Sequence, residues 1–77
     1  MPDRALAYVH NLALRSRRYE QRLVANPRAV LQKERVSEAE IRLIEALAPQ
    51  NAYAFGLALR EVDRLLYSVP DDGYMTN

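Results

Sequence analysis

The sequence predicts an all-α domain, a small bundle of three to four helices followed by a short irregular C-terminal tail. Three observations predict it. Alanine and leucine each occur 11 times among 77 residues, there are only two glycines, and β-branched runs are nearly absent, a composition that favours helix over strand. Apolar residues recur three, four and seven positions apart, the spacing of one helical face. Capping residues and prolines punctuate those stretches at plausible helix lengths.

The first helix is expected over Asp3–Ala25, a stretch without glycine or proline. Leu12, Tyr19 and Leu23 lie on one stripe, with Ala5, Val9 and Ser16 within about 60° of it at 100° per residue. Arg4, Arg15, Arg18 and Arg22 run along one flank of that stripe, and Arg17 lies opposite. Such a flank suits an acidic groove, because arginine stems cover apolar surface while their guanidinium groups pair with carboxylates. The competing reading is a solvated face, or pairing with the acidic second half of the chain.

Asn26-Pro27 ends that helix and starts another: a residue before proline avoids the α region, asparagine caps well, and proline suits the first helical position. The second helix is expected to reach Arg35, with Val30 and Leu31 as its apolar anchors. Ser37 and Glu40 then form a capping box, and Val36 before the cap packs on Ile41 as a hydrophobic staple. This places a third helix over Glu38–Ala48, stopped by Pro49. Asn51 caps a fourth over Ala52–Tyr67, which carries Phe55, Leu59, Val62 and Leu66 on one stripe with Ala58 and Leu65 close by. Gly56 inside it costs roughly 1 kcal/mol relative to alanine and is expected where a neighbouring helix packs closely. Val69-Pro70 and Asp71-Asp72-Gly73 are turn chemistry. The chain therefore divides into a helical domain, 1–67, and a tail, 68–77.

Composition narrows the function. There is no cysteine and His10 is the only histidine, so disulfides, thiolate chemistry and histidine-rich metal cages are excluded, and no catalytic residue, cofactor or metal site is expected. The two glycines are too far apart for a phosphate loop. Glu38 with Glu40, and Glu61 with Asp63, are two residues apart on helices and point in different directions, so neither pair makes an acid/base dyad. No segment approaches the ~20 apolar residues of a membrane span, and the N-terminus lacks a signal-peptide pattern. A cytoplasmic location suits a cysteine-free chain.

The net charge of +1 hides an asymmetry: residues 1–36 carry eight basic and three acidic side chains, whereas 37–77 carry three basic and seven acidic. Residues 37–66 would have to supply a DNA-recognition helix, yet they are net acidic, which argues against nucleic acid as a partner. A core this small rarely supplies more than ~3–5 kcal/mol by itself, so another polypeptide is the expected staple. Tyr8, Tyr19, Tyr53 and Tyr67 sit near helical stripes and have the apolar body and polar tip of interface anchors. A homodimer through Leu12, Tyr19 and Leu23 would meet the same need.

From Tyr19 to Leu31, and again at Val36-Ser37-Glu38-Ala39-Glu40, the pattern resembles the small helical domain of the LigA type, named for the small subunit of LigAB extradiol ring-cleaving dioxygenases. In that family an apolar pair follows a residue-Pro step, as Val30-Leu31 follows Asn26-Pro27 here, and a Ser-x-x-Glu step opens the next helix. Ala54-Phe55-Gly56-Leu57 is similar to the family's last helix, where a small residue permits close packing. The resemblance spans about residues 12–67. It implies an all-α module that acts through a companion, either as an accessory subunit of a dioxygenase or as the leader domain in precursors of ribosomally made, modified peptides such as borosins.

The reading that follows is a non-catalytic recognition module that docks onto a partner enzyme through Arg15, Arg18, Tyr19, Arg22 and Leu23, and presents Tyr74, Met75, Thr76 and Asn77 as candidate modification sites. A dioxygenase accessory subunit is the alternative within the same fold. A small DNA-binding regulator is the alternative from a different class.

Overall fold

The computed structural model describes residues 4–67, which form five helices: α1 (Arg4–Arg15), α2 (Arg17–Ala25), α3 (Pro27–Lys33), α4 (Glu38–Leu47) and α5 (Ala52–Leu66). The all-α class is as expected, and the count is five because the long first helix is broken at Ser16. Asp3 and the tail from Ser68 lie outside the described residues.

Ser16 ends α1 and starts α2. Its backbone N–H donates to the Leu12 carbonyl at 2.9 Å, yet its φ of −133° and ψ of 114° are extended, and its Oγ accepts the Tyr19 N–H at 3.2 Å. Serine competes for backbone groups in this way, which makes it a cap more readily than a helix interior. The break has a packing purpose. An unbroken helix over the expected 23 residues would run about 34 Å, longer than so small a core can cover. The turn lets Val9 and Ala13 of α1 and Leu23 of α2 join one core.

The remaining junctions are as compact. The Asn26 N–H donates to the Arg22 carbonyl, and its Oδ1 accepts the Ala29 N–H, so one residue closes α2 and opens α3. At the end of α3 the Val36 N–H reaches the Leu31 carbonyl and the Arg35 N–H that of Gln32, each at 3.0 Å, with Arg35 left-handed at φ 62°. This is the Schellman arrangement. The apolar pair that accompanies it, Leu31 and Val36, is buried. Val36 also serves the next helix, because it precedes the Ser37–Glu40 capping box and is buried in one core with Ile41. Ala48, left-handed at φ 48°, ends α4, and Asn51 caps α5 by accepting the Ala54 N–H at 2.7 Å.

Each helix packs on the next, and α5 closes the ring by packing on α1 as well as α4. The core lies inside this ring: Leu6, Val9 and Ala13, then Leu23, Leu31 and Val36, then Ile41 and Ile44, then Ala52, Phe55, Ala58 and Val62. Of the stripe expected on α5, Phe55 and Val62 are fully inside, Leu59 is half-buried, and Leu65 and Leu66 are exposed. Gly56 admits the His10 ring: a Cβ there would stand 2.7 Å from His10 Nε2. The close approach expected at this glycine comes from a side chain of α1.

Candidate functional site

The basic residues near the α1–α2 junction are exposed. Arg15 is the last residue of α1, and Arg18 and Arg22 are one turn apart on α2. The straight flank of four arginines calculated for a continuous helix does not persist, because the 100° register is lost at the extended Ser16. Leu23 differs from its expected role: at 2 % exposure it is a core residue, so a partner feels it only through the helix it anchors. Leu12 and Tyr19 are half-buried, and Tyr19 packs against the core. Tyr74, Met75, Thr76 and Asn77 lie outside the described residues.

Tyr19 carries the least satisfied group at this face. Its hydroxyl oxygen is buried and has no hydrogen-bond partner among the described residues. Burial pushes the phenol pKa up, with a further upward contribution from Glu34 and Tyr8 and an opposing one from the Arg22 charge. An orphaned hydroxyl of this kind costs on the order of 1–3 kcal/mol until something pairs with it.

The described acidic residues of the second half do not pair with these arginines. Across the two halves the ion pairs converge on Arg28, whose Nη1 meets Glu38 at 2.9 Å and whose Nη2 meets Glu45 at 2.8 Å. Those contacts raise the Arg28 pKa and hold Glu38 down at about 2, where Arg42 also contributes. Arg64 pairs with Glu61 within α5. Among the described residues, Arg15, Arg17, Arg18 and Arg22 form no ion pair.

Two carboxylate contacts across the fold were not legible in sequence. Glu40, fully buried, accepts the Ser37 N–H at 3.2 Å and the Ser37 hydroxyl at 2.7 Å through Oε1, and the Tyr67 hydroxyl at 2.7 Å through Oε2. Glu20 on α2 accepts the Ala52 N–H at 2.8 Å and so caps α5 from across the fold. The capping box signals the first half of the Glu40 network; no local signal exists for Tyr67 or for Glu20, since both contacts join residues about 30 apart in sequence.

A second surface was also missed. Tyr53 and Leu57 on the outer side of α5, Leu14 of α1 and Leu47 of α4 are all substantially exposed. Leu14, Tyr53 and Leu57 line a cleft of about 390 Å³ with His10, Gly56 and Arg60, and Leu57 also lines the adjoining cleft with Leu47, Pro49 and Ala54. The signal was present in the i, i+4 spacing of Tyr53 and Leu57, opposite the core stripe on the same helix.

No group of three or more His, Asp or Glu side chains converges as metal ligands among the described residues, and no described helix is long and apolar enough to cross a membrane. No family model, curated protein or solved structure matches the chain.

Proposed function

We propose that this chain is a non-catalytic recognition module that docks onto a partner enzyme through Arg15, Arg18 and Arg22 beside Tyr19, and that it serves as the leader domain of a modified-peptide precursor whose tail, Ser68 to Asn77, is the substrate. The observation that carries the docking face is that Arg15, Arg18 and Arg22 are exposed and form no ion pair among the described residues, near a buried tyrosine hydroxyl that has no hydrogen-bond partner among them. An acidic partner surface supplies what these arginines lack, because carboxylates fork onto guanidinium groups. The LigA resemblance supports the same reading through the modules it implies. The leader role rests on that resemblance and on the turn-rich composition after Tyr67.

Co-expression with the enzyme encoded beside the chain, followed by intact-mass measurement and fragmentation, tests the proposal. A mass change confined to Ser68–Asn77, together with loss of partner affinity in the Arg18→Glu/Arg22→Glu double variant, is the expected result. An unchanged mass with stable co-purification identifies an accessory subunit instead, and steeply salt-dependent binding to duplex DNA identifies a regulator.

A further inference from the structure

We infer that the outer face of α5, with the flanking ends of α1 and α4, is a second docking surface and that its occupant is an acidic amphipathic helix of a partner protein. This surface is separate from the α2 face. Tyr53 is 74 % exposed, Leu14 58 %, Leu57 49 % and Leu47 43 %, and Leu57 joins the two clefts they line into one apolar strip. The core face of α5 is spent on Phe55, Ala58 and Val62, so this strip is additional to what folding needs. His10 lies against Gly56 and Leu14 shares a cleft with Tyr53; α1 therefore runs antiparallel to α5, and apolar side chains of both helices border one open cleft, the kind of surface an apolar helix face uses.

Charge selects the occupant. The acid that lines the strip, Glu61, is engaged within the molecule by Arg64. Arg60 lines the same cleft, is exposed, and forms no ion pair among the described residues. The rim thus has an uncompensated positive charge beside exposed leucines and a tyrosine. A helix with apolar residues at i, i+3, i+4 and i+7 and glutamates next to them matches both features, with a carboxylate on Arg60 fixing its direction. A second copy of the chain would bring the same cationic rim and oppose like charges.

Fluorescence anisotropy with a labelled peptide of about 18 residues, leucines on one helical face and glutamates on the other, tests this. The expected result is saturable binding that Leu57→Glu and Arg60→Glu each weaken by roughly tenfold or more. Both side chains are exposed, so far-UV circular dichroism of the variants is expected to match the parent. The Arg18→Glu/Arg22→Glu variant is expected to bind the peptide as the parent does, which separates this surface from the α2 face. No binding, equal binding of the lysine counterpart of the peptide, or loss of binding in the α2 variant overturns the inference. So does a dimer in sedimentation equilibrium that Leu57→Glu dissociates, which would assign the face to a second copy.

Discussion

Arg35 and Ala48 hold the left-handed backbone that ends α3 and α4, at φ 62° and 48°, although both carry a Cβ that disfavours it. Glycine has no such penalty. Arg35→Gly and Ala48→Gly are therefore each expected to raise stability by about 0.5–1 kcal/mol, read as a higher urea midpoint with an unchanged slope. Glu38 gives a pH dependence of stated sign. Its folded pKa lies at about 2, below the ordinary 4.5, because Arg28 and then Arg42 hydrogen-bond to the charged form. The unfolded chain takes up the proton first, so the contribution is fully present above about pH 5 and disappears as pH falls through the interval down to about 2. An Arg28→Gln variant is expected to lose less stability than the parent over that interval in thermal melts.

At the scale of the element, the junctions decide the architecture. Glu20 caps α5 from α2, so Glu20→Ala is expected to cost about 1 kcal/mol in chemical denaturation although the residue lies in a different helix. Gly56 and His10 are a coupled pair. Alanine at position 56 gains roughly 1 kcal/mol in helix propensity, but its Cβ would meet the imidazole at 2.7 Å. Gly56→Ala is expected to be neutral or destabilising alone and stabilising by about 1 kcal/mol in a His10→Ala background; equal effects in both backgrounds would remove the coupling. The junctions differed in how legible they were. Ser37–Glu40 and Asn51 sit beside a proline or an apolar run and announce themselves, whereas Ser16 lies inside an unbroken amphipathic pattern, where its neighbours keep the helical period on both sides.

For the whole molecule, the core and the candidate docking face are adjacent but energetically opposed. Leu23→Ala removes a core side chain from α2 and is expected to cost about 2–5 kcal/mol, comparable with the entire stability of so small a domain, so the variant is expected to lose its cooperative thermal transition. Arg18→Glu/Arg22→Glu changes only exposed groups and is expected to leave that transition in place. The contrast separates what folds the protein from what a partner reads. It also explains why Leu23 and its neighbours looked alike in sequence: a side chain on the apolar stripe of α2 is equally suited to a core and to an interface, and only the presence of α3 and α1 over it chooses between them.

The sequence by itself determined the helical class, the boundaries at Asn26, Ser37 and Asn51, and the placing of Val36, Ile41, Phe55 and Val62 in the core, because capping chemistry and the 3.6-residue period act over a few residues and need no knowledge of the rest of the chain. Tertiary structure alone decided that the first helix breaks at Ser16, that Glu20 and Tyr67 reach carboxylate-mediated contacts about 30 residues away, and which apolar residues remain outside. Those outcomes depend on closing the ring between α5 and α1, a long-range event in which a small core must be covered from every side at once. The arginines follow the same division: their number and crowding into the first half are read from the chain, whereas Arg28 is paired because α3 packs on α4, which carries Glu38 and Glu45, and Arg15, Arg18 and Arg22 form no ion pair among the described residues.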